Sequence, residues 1–454
     1  MKPLMLLSLA AAIAASPCPY GQLAERGALP KTEADKFFAA RAEGEAAIEK
    51  QMLKAREEKR AEHAAQEAYY KRQLNLGDLP LGGGLLGGVL QPFSGVLKGL
   101  GVPTPQPFGL KEIPGDDGLH PFQFPKTTDV RGMCPTLNTM ANHGFISRTG
   151  ITTFAEAANA CQITLGFGYD TCVFLSALGL LAGGDLPSGK YSIGGADARV
   201  PNTLGPSLGI SKHGFFEVDN SISRQDQNFG NQADFRLDRW NRLVDITKKY
   251  NGQFGNSAFA EERVTVYKEA KNANPKFTAG IRWLGVTTAE RVFVFRALPN
   301  GTDPGNANFR NIAPFFLNET FPEEWFRRAT PYTLAATGAD IANLLASSSE
   351  ITNPGQNQGL GNFVPLGLDL GNVSPTTATC FLASAIFDNT PGFLAPGLVT
   401  NYATVQAFLN GAVKPFFATY NCPVLDFAKP GPSAGDATPG VSAHSNILIN
   451  GVYQ

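Results

Sequence analysis

The residue best placed for chemistry is Cys134, in the run Asp129-Val-Arg-Gly-Met-Cys134-Pro135-Thr136-Leu137-Asn138. Pro125 and Gly132 break the stretch before it, and Pro135 opens a helical pattern. Proline favours the first helical position, where its missing N–H costs nothing. The spacing therefore predicts a helix over 135–143 with Cys134 as its N-cap. An N-cap side chain faces the free N–H groups that follow it, here those of Thr136 and Leu137. Those donors and the positive helix end favour a thiolate, which can serve as a nucleophile or as an axial metal ligand. Free cysteine is also among the most buried residue types, so spacing alone leaves a core thiol equally open.

Two further groups carry ionisable side chains. Phe215-Phe216-Glu217-Val218-Asp219-Asn220-Ser221 reads as a loop, with two carboxylates and a hydroxyl within five residues. Such a set can gather around a hard cation, although acidic loops are common without one. The helical pattern over 257–273 carries Glu261, Glu262, Arg263 and Glu269. A carboxylate there could move a proton if it faced an apolar pocket, or could simply be solvated on a charged helix. His143, ahead of Gly144, reads as a helix-end residue with a structural role. His120 and His213 are isolated and carry no assignment.

The run Arg131-Gly-Met-Cys-Pro-Thr-Leu-Asn-x-x-Ala-Asn-His-Gly resembles the haem-binding segment of the chloroperoxidase and unspecific-peroxygenase family, secreted and mostly fungal haem-thiolate enzymes. Met133 stands where that family has a first proline; the helix-opening Pro135 is kept. The resemblance implies that Cys134 is the axial ligand of a haem b iron, where a thiolate pushes electron density onto the metal and favours O–O cleavage. It places Phe216 in the haem pocket. It also implies that the Glu217 carboxylate, the Val218 carbonyl and the Ser221 hydroxyl bind Mg²⁺ or Mn²⁺ beside a haem propionate. A divalent cation there offsets a carboxylate that would otherwise be buried unpaired. Val218 occupies a position where the family has His or Gly, and cannot orient a catalytic carboxylate as that His does. Val266-Tyr-Lys-Glu269-Ala-Lys-Asn-Ala-Asn274 resembles the helix that carries the family's distal Glu, which assigns that role to Glu269. Long members add an Arg about two turns earlier, where this chain has Glu262; Arg263 lies about a third of a turn away, so it serves after a local adjustment or the partner is absent. Long members also carry a C-terminal disulfide, implying a Cys380–Cys422 bridge. The implied activity is peroxide-driven oxidation or oxygenation of a small apolar or aromatic substrate. The alternatives are a halide-oxidising chloroperoxidase and a secreted binding protein of the same fold without the chemistry. The resemblance spans 118–330 by its motifs and 375–425 by the cysteine pair.

The elements that must position these residues are mostly helical. Helical patterns run over 135–143, 152–182, 233–250, 257–273 and 283–297, then over 339–348, 376–387 and 405–419, with few strand signals. With 49 Gly and 32 Pro in 454 residues, long irregular connections join the helices. The expected fold is a mainly α-helical single haem-peroxidase domain over 111–425. The chain holds 32 Phe, enough for a core and an apolar channel. A net charge of −1 gives no footprint for nucleic acid.

Lys2 and the apolar run Met5–Ala15 read as a signal peptide over 1–16, too short to span a membrane. Residues 17–110 form a charged helical extension followed by a Gly/Pro/Leu-rich linker, and 426–454 a C-terminal tail. Asn300-Gly-Thr302 and Asn318-Glu-Thr320 are glycosylation sequons compatible with export. In an oxidising compartment some of the six cysteines should pair. Cys161 and Cys172 lie on one expected helix, about three turns apart, and are expected as buried thiols. Oligomeric state leaves no signal in the sequence.

Overall fold

The computed structural model describes residues 101–422, apart from 116–117, 214–215, 234, 349, 351, 366–372, 384–401 and 421. The signal peptide, most of the charged extension and the C-terminal tail lie outside the described residues. Residues 101–110, expected in the linker, are bound to the helical body. The Thr104 amide donates to Asn159 Oδ1 at 2.9 Å, the Gln106 amide to Gln162 Oε1 at 3.0 Å, and the Arg327 guanidinium to the carbonyls of Pro107 and Gly109.

The fold is mainly helical. Helix α1 is Pro135–Asn142, α2 Phe154–Leu165, α3 Tyr169–Gly183, α4 Leu237–Lys248, α5 Asn256–Ala273, α6 Ile281–Ala297, α7 Leu334–Ala346 and α8 Tyr402–Ala412. Residues 375–383 are also helical. The strands are two or three residues long and make three small antiparallel sheets. In one of these, Ile151–Thr153 and Gly184–Asp185 flank Lys190–Ser192, with Thr152 paired to Tyr191.

The stretch expected as a single helix over 152–182 is a strand and two helices, and this overturns the reading of its cysteines. Thr153 caps α2 by accepting from the Glu156 amide at 3.2 Å. Gly166 ends α2 in the left-handed region at φ 66°, where a Cβ would come within 2.7 Å of the Arg328 side chain. Gly168 then opens α3. The reversal lays α3 against α2 and brings Cys161 and Cys172 to a Cα–Cα distance of 5.7 Å, where they form a disulfide rather than two thiols. The expected Cys380–Cys422 bridge is present. Cys134 is the one free cysteine among the described residues.

Helix α3 is buried from Thr171 to Gly183 apart from one position, Leu175, and α6 is buried over most of its length. Helices buried on all sides lie at the centre of a fold rather than on its surface. The largest fully buried side chains include Phe174 of α3 and Trp283 of α6, with Trp240, Trp325, Phe154, Phe254 and Phe259. No described helix is long and apolar enough to cross a membrane.

Candidate active site

A cavity of about 210 Å³ opens between α1, α2, α3 and α6. Cys134 stands on its wall. Its backbone is extended (φ −77°, ψ 111°), it is the N-cap of α1, and Pro135 is the first helical residue, as the spacing predicts. The sulfur lies 3.1 Å from the Thr136 hydroxyl. That hydroxyl and the Leu137 and Thr136 amides favour the thiolate, but burial outweighs them and Glu290 opposes them, so the free thiol is pushed above its ordinary pKa. Of the two readings left open by the spacing, a thiolate or a buried thiol, burial favours the thiol in the absence of a bound cation. A cation bound at sulfur reverses that balance, because metal coordination deprotonates a thiol outright.

The backbone entering Cys134 is held on every side. Gly132 packs so closely that a Cβ would fall 1.8 Å from the Ile193 carbonyl oxygen. The Asn138 side chain spans the Gly132 peptide, accepting from its amide at 3.0 Å and donating to its carbonyl at 2.8 Å. Arg224 Nε donates to the Met133 carbonyl at 3.2 Å. At the far end of α1, His143 is the C-cap and bonds the His120 carbonyl through Nδ1 at 3.0 Å and the Thr320 hydroxyl through Nε2 at 2.9 Å. Burial pushes its imidazole down to about 4.

The acidic loop reaches the same cavity. Phe216, Glu217 and Ser221 all line it. Glu217 is buried, its Oε1 has no hydrogen-bond partner, and burial together with nearby Glu290 pushes its carboxyl well above the usual range. Val218 turns its side chain into the core, and its carbonyl accepts from Gln232 at 3.0 Å. Asp219 is held by His213 at 3.0 Å, by the Gln227 amide and by Asn274, with a depressed pKa despite its burial. His213, unassigned from sequence, is thus the partner of Asp219.

The helix carrying the expected acid does not supply it. Glu269 is exposed, pairs with Arg242, and does not line the cavity. Its helix α5 instead buries Glu262 and Arg263. Arg263 bonds the Thr352 hydroxyl and lies over the Trp283 ring at 5.3 Å, also away from the cavity. Glu262 forms a doubly hydrogen-bonded buried pair with Arg291, at 2.6 and 2.9 Å.

Besides Glu217, the carboxylate that lines the cavity is Glu290, on α6. Burial pushes it up to about 7; Arg291 opposes that shift and Glu262 adds to it. It projects from a stripe of Val286, Ala289, Phe293, Val294 and Ala297, all lining the cavity. A lone acid on an apolar helical stripe is the sequence signal that marks it, and the 283–297 pattern contains it. The walls opposite are apolar, including Leu165, Phe167, Phe174 and the Cys161–Cys172 disulfide.

The one free thiol among the described residues thus shares an apolar cavity with the carboxyls of Glu217 and Glu290 in a mainly helical domain, the arrangement that the resemblance to haem-thiolate peroxidases implies. Comparison with known proteins agrees. Residues 120–330 match the family described as Peroxidase, family 2. The sequence is similar to an aromatic peroxygenase of Coprinellus radians, 29% identical over 50% of this chain and 88% of that protein. It is 30% identical to an aromatic peroxygenase of Cyclocybe aegerita over 54% of this chain and 66% of that protein. It is 26% identical to the dothistromin biosynthesis peroxidase dotB of Dothistroma septosporum over 69% of this chain and 83% of that protein. The chain is a peroxide-dependent oxidoreductase.

Proposed function

We propose that this is a secreted haem-thiolate peroxygenase or peroxidase that uses hydrogen peroxide to oxidise small apolar or aromatic molecules. The observation that carries the reading is the shared cavity of Cys134 and Glu290. The residues suit a haem: a cavity with apolar walls, a free sulfur on one of them, and a buried carboxylate oxygen of Glu217 without a partner. Cys134 would ligate the iron, and Phe216 would lie against the ring. Haem, when bound, supplies the redox chemistry. Glu290 would accept the proton from one peroxide oxygen and return it to the other, which leaves as water. A carboxyl near 7 suits both halves of that transfer at neutral pH. The apolar stripe of α6 favours an uncharged substrate beside the carboxyl.

Among the described residues there is no cluster of three or more His, Cys, Asp or Glu fit for a metal. Glu217, the Val218 carbonyl and Ser221 are therefore a thin donor set for Mg²⁺ or Mn²⁺. They would suffice only with a propionate as a further anionic ligand, and that bridge is part of the proposal. Aromatic substrates are supported by the names of the relatives and by the cavity lining. Export is supported by the signal-like N-terminus and two disulfides. A binding protein without chemistry is disfavoured, because the free Cys134 sulfur and the Glu290 carboxyl share one cavity.

The decisive experiment is the absorption spectrum of the reduced CO adduct, with turnover of an aromatic substrate by peroxide. A strongly red-shifted Soret band in wild type, lost in Cys134→Ala, is expected. A wild-type band typical of histidine ligation would refute the reading. Elemental analysis checks the second metal: Glu217→Ala should lower bound divalent cation per haem, and an unchanged ratio would remove Glu217 from that role.

A further inference from the structure

The support of the Cys134 loop converges on one buried carboxylate far away in sequence. Glu319 follows the π-helical turn Pro314–Asn318 and is itself left-handed, at φ 52°. It is 3% exposed. Its Oε1 accepts from Asn138 Nδ2 at 2.8 Å, and the same oxygen lies 3.9 Å from Arg224 Nη2. Its backbone carbonyl accepts from Asn142 Nδ2 at 3.0 Å. Asn138 clamps the Gly132 peptide and Arg224 holds the Met133 carbonyl, so both residues that precede Cys134 are fixed by groups that meet at Glu319. Glu319 is not among the residues that line the cavity.

We propose that Glu319 is a positioning residue for the Cys134 sulfur, acting through Asn138 and Arg224 to hold the loop in the one geometry in which sulfur can remain an anionic axial ligand. The inference rests on the haem-thiolate reading above. A buried amide and a buried guanidinium share this acceptor. Its removal takes the acceptor from one Asn138 N–H and the opposite charge from beside Arg224, which loosens the hold on the Gly132 and Met133 peptides. Outer partners of metal ligands orient them and tune the metal in this way.

The test compares Glu319→Ala with Glu319→Gln in protein loaded with haem. Gln keeps an acceptor oxygen for Asn138 and loses the charge facing Arg224. Asp170→Asn is the control for general destabilisation, because Asp170 caps α7 through the Leu334 amide at 2.9 Å and does not line the cavity. Two signals are read: the split of the CO-adduct Soret band between thiolate and neutral-thiol forms, and the rate of haem transfer to an acceptor apoprotein. Glu319→Ala should convert much of the thiolate band to the neutral-thiol band and speed haem loss about 10–100-fold, the usual range for outer-shell partners. Glu319→Gln should recover most of the thiolate band, and Asp170→Asn should keep it even with a lowered melting temperature. A Glu319→Ala spectrum like wild type, or the same change in Asp170→Asn, overturns the proposal. If wild type itself lacks the thiolate band, the haem-thiolate reading fails first. If Glu319→Ala does not fold, the Glu319→Gln and Asn138→Ala spectra decide: a thiolate band unchanged in both overturns the proposal, and a partial shift in Asn138→Ala supports it.

Discussion

At the scale of single residues, the site turns on which carboxylate faces the sulfur. Glu290→Gln keeps the shape of the side chain and cannot exchange a proton; it should slow the reaction with peroxide by about 10²–10⁴-fold, the usual worth of a general acid–base group. Stopped-flow mixing with peroxide measures this, and a rate within about threefold of wild type would exclude Glu290 on the same scale. Glu269→Gln is the contrasting variant: it breaks only an exposed pair with Arg242, so peroxide kinetics should be unchanged and stability should move by no more than about 1 kcal/mol. Cys134 was legible in the sequence because proline at the first helical position fixes the residue before it as a cap. Glu217 and Ser221 were legible as a loop set. Glu290 was not, because an acid at the centre of an apolar stripe was passed over for one on a charged helix. On α5 the charges at 262 and 263 are the buried ones, and the acid at 269 is solvated.

At the scale of elements, α1 is held at both ends by partners invisible to local pattern. His143 at its C-cap is neutral in the fold, with a pKa near 4 against an ordinary value of 6.5. Between those values the unfolded chain binds a proton that the folded chain refuses. Stability from this group is therefore complete above about 6.5 and falls as pH drops toward 4. The full difference amounts to about 3.5 kcal/mol as an upper figure, at about 1.4 kcal/mol per unit. His143→Gln should flatten the acid limb of the unfolding free energy between pH 6.5 and 4 relative to wild type, read by urea titration at each pH; parallel curves would show that burial of the imidazole is not what the acid limb reports. The hairpin of α2 and α3 shows the opposite failure of legibility. Apolar content ran on through 166–168, so a continuous helix was expected. Two glycines around Phe167 reverse the chain, and the left-handed Gly166 is the residue that makes the reversal possible.

At the scale of the whole molecule, two disulfides do different work. Cys380–Cys422 closes a span of 42 residues and ties the helical residues 375–383 to the segment that follows α8. Replacing both by Ala should lower the unfolding free energy by about 3–4 kcal/mol on the chain-entropy model, measured by denaturant titration, while the folded fraction keeps its thiolate spectrum. The mainly helical class and the central helices were legible because long periodic segments dominate the sequence. The short sheets were not, since strands of two or three residues leave no alternation to read.

The Cys161–Cys172 bridge lies in the cavity wall, within the same enclosed space as Cys134. Before it closes, three thiols converge there, and of the three possible pairings two consume Cys134. The nascent chain thus faces a sorting problem at the spot where its iron ligand must stay reduced. A molecule that sorts wrongly would carry the same number of bridges and the same mass, yet its free thiol would be Cys161 or Cys172, away from the N-cap of α1. The yield of active protein from a given host should follow that host's ability to reshuffle disulfides more closely than its supply of haem.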